Sequence, residues 1–291
     1  MKGIVLAGGT GSRLFPATNV ISKQMLAVYD KPMIYYPLST LMLAGIKDIQ
    51  VISSPDHIAL FEKLLGRGER FGLNISYAVQ QRPVGIAHAF ILSEEYIGSE
   101  PCALILGDNI FFGGALRSHL EASVQIEKGA QIFAHPVNDP EQYGVVELNS
   151  ESNVISIEEK PRNPKSKLAV TGLYFYDNQV VEICKSINPS TRGELEITDV
   201  NRVYIEKGEM KVAVLGRGIA WLDTGTPDGL MDAAQFVKVL QDRQGVLIAS
   251  PEEISWRNGW ISTTELAELS SQLKGTAYGE YLRGLAIKGD R

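Results

Sequence analysis

This sequence predicts a three-layer α/β fold built on a mixed, mainly parallel sheet, and three observations support that. Short apolar runs alternate with helical patterns through the first half of the chain, as right-handed crossovers in a parallel sheet require. From Gln131 onward short strands follow one another closely, which signals hairpins and antiparallel extensions of the sheet. The first run, Lys2 to Leu6, stops at Gly8-Gly9-Thr10-Gly11-Ser12-Arg13, three glycines within four positions closed by an arginine. Glycines let the main chain turn its N–H groups toward an anion, and arginine adds a permanently charged fork. The stretch reads as a phosphate cradle or as a plain strand-to-helix turn. It matches neither a Walker loop, which ends in Gly-Lys-Ser/Thr, nor the dinucleotide pattern, which needs a small residue at Leu14.

In order, Met33 to Leu43 is apolar on nearly every side and reads as a helix under a sheet, with Pro37 kinking it or marking its start. Ile49 to Ser53 is the next strand, Pro55 to Leu65 a helix, and Ile75 to Gln80 a third strand. A helix is expected to open at Gly85, and Cys102 to Leu106 is a fourth buried strand that stops at Gly107-Asp108-Asn109. Ligands collect beyond the carboxyl ends of parallel strands, so Gly8, Gln80 and Asp108 are expected to emerge together. Strands follow at 132–137, 144–148, 154–159 and 169–177, then a helix from Glu196 to Lys207. Val212 to Leu215 and Ala220 to Leu222 flank Arg217, Asp223-Thr224-Gly225-Thr226-Pro227 opens another helix, and amphipathic patterns cover Thr264 to Leu273 and Tyr278 to Leu285.

With 291 residues, 44% hydrophobic, the chain can bury the core of one large α/β domain or two modest ones. A net charge of -6 leaves no broad basic surface, which argues against a nucleic-acid polymer as partner. A phosphorylated small substrate needs only a local cationic cluster. Cys102 and Cys184 sit in apolar contexts far apart and read as buried packing residues of a reducing compartment. The four histidines, His57, His88, His119 and His135, have no ligand spacing, so zinc is not expected. No window reaches membrane-spanning length and the first apolar run is too short for a signal peptide, so a cytoplasmic protein with no membrane partner is expected.

Asp108 and Asp223 each end an apolar run and are candidate ligands for Mg²⁺, which one or two carboxylates plus phosphate oxygens usually hold; alternatively each is a turn former or cap. Lys160 ends a strand in Glu158-Glu159-Lys160-Pro161, where proline fixes the exit. Gln80 and Gln81 offer amides suited to a nucleobase edge, or simply a polar strand end.

Taken together, the residues 2–13, Ser22-Lys23-Gln24, 80–87, Gly107-Asp108-Asn109, Glu159-Lys160-Pro161, 170–176, 192–201 and 221–226 resemble, in order and over nearly the whole chain, the sugar nucleotidyltransferase family. The resemblance implies a Rossmann-like αβα fold of the GT-A-like type: a core over 1–243, with a nucleotide half to about 130 and a sugar half beyond it, and a helical segment over 244–291. It also implies Mg²⁺-dependent condensation of dTTP with glucose 1-phosphate, giving dTDP-glucose and pyrophosphate by direct in-line attack at the head of dTDP-L-rhamnose and O-antigen synthesis. Carried over, Leu6, Gly8, Gly9, Thr10, Gly11, Arg13, Lys23, Gln80, Gln81, Gly85 and Asp108 would bind the nucleotide, and Asp108 and Asp223 the metal. Asn109, Tyr143, Gly144, Glu159, Lys160, Val170, Thr171 and Arg192 would surround the sugar phosphate, with Arg13, Lys23, Asp108, Lys160 and Asp223 serving catalysis. His119, Arg217, Gly218 and Arg257 are candidates for a regulatory site near a subunit contact in a homotetramer. The chain departs from the family pattern at Ala27, Val84 and His88. Rival expectations are a uridylyltransferase making UDP-glucose and a non-catalytic nucleotide-sugar sensor; a Rossmann dehydrogenase is disfavoured by Leu14.

Overall fold

The computed structural model describes residues 1–289. Its first half runs β1 (Lys2–Ala7), β2 (Ala27–Val28), β3 (Lys31–Pro32), α1 (Tyr35–Leu43), β4 (Asp48–Ser53), α2 (Ile58–Leu65), β5 (Asn74–Val79), α3 (His88–Leu92), α4 (Glu94–Ile97), β6 (Cys102–Leu106), β7 (Asn109–Phe112) and α5 (Leu116–Ser123). The second half runs β8 (Ala130–Pro136), β9 (Gly144–Leu148), β10 (Val154–Glu159), β11 (Leu168–Tyr176), α6 (Val180–Ser186), α7 (Ile197–Glu206), β12 (Met210–Val214), β13 (Ala220–Asp223) and α8 (Pro227–Gln244). Three helices follow: α9 (Pro251–Arg257), α10 (Thr263–Gln272) and α11 (Ala277–Lys288).

Nine strands form one sheet in the order β10-β9-β11-β6-β1-β4-β5, with β8 on β11 and β12 on β8. β1, β4, β5 and β6 are mutually parallel, and β11 turns the sheet antiparallel against β6 and β8. Because successive strand residues point to opposite faces, a sheet covered on both sides needs continuous apolar runs. Ile4 packs on the face covered by Phe90 and Val200, while its neighbour Val5 packs on the other with Leu38 and Leu41. Both cysteines are buried and unpaired, and burial raises the Cys184 thiol to about 12.

Three local outcomes differ from the sequence expectation or resolve it. Pro37 lies in the first turn of α1 and opens the helix without kinking it, since the missing N–H is an orphan there anyway. α3 begins at His88 and not at Gly85, because Gly85 has φ +108 and the flanking Val84 and Ala87 are hydrogen-bonded to the main chain of Leu195. β7 and β13 pair as a separate antiparallel ribbon, which no local pattern announces. α8 starts as expected, with Thr226 accepting from the Gly229 N–H at 3.1 Å and Pro227 in its first turn.

The C-terminal helices carry a small core of Trp256, Ile261, Leu266 and Leu282. They are tied to the main body through α9, where the Ser255 hydroxyl donates to the Phe71 carbonyl at 2.5 Å and Asn258 Nδ2 donates to the Met42 carbonyl at 3.0 Å. Among the described residues no helix is long and apolar enough to cross a membrane.

Candidate active site

A cleft of about 430 Å³ lies across the carboxyl ends of β1, β5 and β6 and reaches to β9, β10 and β11. From the first strand and the loop after it, the cleft takes Leu6, Gly9, Gly11 and Arg13. Gly11 has φ +62 and its carbonyl accepts from the Thr18 hydroxyl at 2.8 Å, which fixes the turn that aims Arg13. Arg13 lies over Gly225, where a Cβ would come within 2.5 Å of its guanidinium nitrogen. Only a glycine leaves that room, so two segments far apart in sequence are matched here.

The aspartates meet through the β7–β13 ribbon. Its register sets Asp223 opposite Asn109, and so beside Asp108. The Thr224 hydroxyl donates to the Asp108 carbonyl at 2.7 Å, which locks the two strand ends together. Lys23, itself buried, forms an ion pair with Asp108, and the Gly225 N–H donates to Asp223 Oδ1 at 3.0 Å. Burial raises the Asp223 carboxyl above its ordinary 3.8, and the Asp108 carboxylate raises it further; Lys23, Arg13 and the Gly225 N–H pull it back. Among the described residues no cluster of three or more acids, histidines or cysteines forms. The donor set is two carboxylates under mutual repulsion, which fits a hard cation that completes its shell with phosphate oxygens.

Gln80 is 3% exposed, and a Cβ on Gly8 would fall 2.6 Å from its Oε1, so Gly8 is where the amide and the cradle touch. Gln80 and Gly85 line the cleft; Gly8, Thr10, Gln81 and Thr171 are not among its lining residues.

On the side of the cleft formed by β9, β10 and β11, Glu159 accepts from the Thr198 hydroxyl at 2.7 Å and stands beside Gly144. Lys160 has φ +44, a left-handed backbone, and its N–H donates to the Tyr143 carbonyl at 3.0 Å. Arg192 is gathered among carboxylates, at 2.9 Å from Glu196, 3.6 Å from Glu194 and 3.7 Å from Glu159. Tyr143 meets Trp221 edge-on at 5.1 Å, and Val170 completes that wall of the cleft. Asn109 Oδ1 accepts from the Trp221 indole N–H at 2.6 Å and the Gly172 N–H at 3.1 Å, while its Nδ2 donates to Asp108 at 3.0 Å. Trp221 and Glu196 also line the cleft, beyond the residues expected there from the sequence. Trp221 sits two residues before Asp223 on one strand, so both face the same side, which is the signal that was available.

A second cavity of about 280 Å³ lies between α1, the end of β7, the start of α5, residues 246–250 and α9. Arg257 lines it, ion-paired with Glu253 at 2.7 Å. His119, on α5, does not line it, nor do Arg217 and Gly218, although the Gly218 carbonyl abuts Gly113, which does.

This fold and this cleft define a class. A family model described as nucleotidyl transferase matches residues 2–239, and the chain belongs to that family. Its relatives then narrow the branch to enzymes named glucose-1-phosphate thymidylyltransferase: that of Neisseria meningitidis serogroup A is 56% identical over 99% of this chain and 100% of its own. The Mycobacterium tuberculosis enzyme of the same name is 54% identical over 97% of this chain and 98% of its own. A Bacillus anthracis structure, described as a candidate glucose-1-phosphate thymidylyltransferase in complex with sucrose, is 42% identical, covers 81% of this chain and 94% of its own, and superposes with a TM-score of 0.76. A UDP-glucose pyrophosphorylase with UDP-glucose bound, 24% identical over 82% of this chain and 98% of its own, shares the fold at a TM-score of 0.72.

Proposed function

We propose that this chain condenses dTTP with α-D-glucose 1-phosphate to give dTDP-glucose and pyrophosphate. The observation that supports the reading is that Arg13, Lys23, Asp108 and Asp223 line one cleft together with Glu159, Lys160 and Arg192, which gathers four cations and three acids around a single space. Arg13, Lys23 and the Gly9–Gly11 main chain hold the triphosphate; Gln80 meets the base, and Asn109, Tyr143, Gly144, Glu159 and Val170 hold the glucose, with Thr171 fully buried behind them. Lys160 and Arg192 hold the sugar phosphate, one oxygen of which attacks the α-phosphorus in line while the bond to pyrophosphate breaks. Such a transfer needs placement and charge neutralisation more than proton transfer. Mg²⁺, when bound by Asp108 and Asp223, would neutralise charge developing on the phosphate oxygens.

The reading extends to a place at the head of dTDP-L-rhamnose synthesis in the cytoplasm, in a homotetramer. The end product would inhibit from the second cavity, with Arg257 as its contact. The test is pyrophosphate release from dTTP, with and without glucose 1-phosphate and Mg²⁺; release that ignores the sugar phosphate contradicts the reading. UTP run in parallel should be used less efficiently, within the roughly 1–3 kcal/mol that one methyl group is worth. Inhibition by dTDP-rhamnose should weaken in Arg257→Ala.

A further inference from the structure

We propose that His88 is the positioning residue that sets which way round the Gln80 amide faces, and so which pyrimidine edge the cleft accepts. This rests on the reading that Gln80 meets the base.

The Gln80 side chain lies between Gly8 and His88. Its Oε1 occupies the space left by the absent Cβ of Gly8, and its Nε2 lies 3.2 Å from Nδ1 of His88. An amide nitrogen only donates, so Nδ1 must accept and the imidazole proton sits on Nε2. In that state the free edge of the amide offers an N–H beside a C=O. A keto pyrimidine, with its O4 acceptor beside N3–H, matches that order; cytosine, with a 4-amino donor beside an unprotonated N3, presents the reverse. A protonated imidazole carries hydrogens on both nitrogens and would set N–H against N–H. Rotating the amide by half a turn restores the bond and exchanges the two ends, which favours the cytosine pattern.

Burial alone holds His88 below the ordinary 6.5, so at neutral pH the accepting form prevails. α3 and β5 carry no other charged side chain. α3 packs against α4 and α6. On those helices Lys185 is engaged by Glu94 at 2.5 Å and Glu182 at 2.8 Å, and Glu95 is exposed. His88 is also the first residue of its helix, and the turn before it is fixed by the Val84 and Ala87 hydrogen bonds to the Leu195 main chain, which sets where its ring meets Gln80.

The test is kcat/KM for dTTP and for dCTP, with glucose 1-phosphate and Mg²⁺, from about pH 5.5 to pH 8. Taking the ratio of the two nucleotides at each pH cancels titrations common to both. In the wild type the dTTP-over-dCTP ratio should fall about tenfold on the acid side, carried by KM and not by kcat. His88→Phe should lose about the same factor at every pH. His88→Gln, whose carbonyl can accept without titrating, should keep the ratio and lose its pH dependence. A ratio that is flat with pH in the wild type, or unchanged in His88→Phe, or still pH-dependent in His88→Gln, overturns the proposal. Gln80→Leu separates the two ideas: if it leaves the ratio intact, base reading by Gln80 fails; if it abolishes the ratio while His88→Phe does not, the role of His88 alone fails.

Discussion

Asp223 is a carboxylate in an unfavourable place, half-buried and beside Asp108, and its raised affinity for a proton marks that. A group whose folded value lies above its unfolded one contributes stability below the unfolded value and loses it as pH rises through the folded one. At neutral pH without metal, Asp223→Asn should therefore raise Tm, and the gain should shrink toward acid pH. Activity should fall at least about a hundredfold, the scale of a group that organises transition-state charge. Added Mg²⁺ should stabilise the wild type and not the variant. Lys160 offers a second contrast. Its left-handed backbone costs roughly 1–2 kcal/mol for a residue other than glycine. Lys160→Gly should recover part of that in a thermal melt, and Lys160→Ala should not, while both raise KM for the sugar phosphate. Charged and glycine-rich positions were legible in the sequence because their chemistry is rare; the strain at Lys160 was not, because nothing in Glu158-Glu159-Lys160-Pro161 states a positive φ.

Among the elements, the β7–β13 ribbon does the joining. Asn109 is its pin, accepting from Trp221 and Gly172 at 3% exposure. Asn109→Ala would leave the buried Gly172 N–H without an acceptor, at about 1–3 kcal/mol, and free the half-buried Trp221 indole N–H, and should lower both stability and kcat. Gln in its place is too long for both bonds and should not rescue. The parallel strands could be read from their apolar runs, since burial on both faces leaves little choice of residue. The ribbon could not: Asn109–Phe112 follows β6 almost without a break, and its partner, Ala220–Asp223, comes only after β8 to β12. For the same reason Asp108 and Asp223 could be named from sequence, but their adjacency had to come from the fold.

At the scale of the molecule, the family match ends at residue 239 and α9 to α11 lie outside it, yet α9 closes one face of α1. Cutting the chain after Gly245 removes Ile254 and Trp256, both buried, along with the Ser255 and Asn258 hydrogen bonds. The loss should be several kcal/mol, on the order of 10 °C in Tm for a protein this size, read by calorimetry. The amphipathic patterns of the tail were plain in the sequence; that its first helix would wall a second cavity was not, because α1, α5 and the 246–250 turn contribute the other walls. The three acids around Arg192 have a consequence for what this cleft turns away. A guanidinium already satisfied by Glu196 lets go only for a dianion, and unphosphorylated glucose brings none. Free hexose, however abundant, should then be a poor competitor against glucose 1-phosphate, excluded not by its shape but because it cannot exchange one ionic partnership for another.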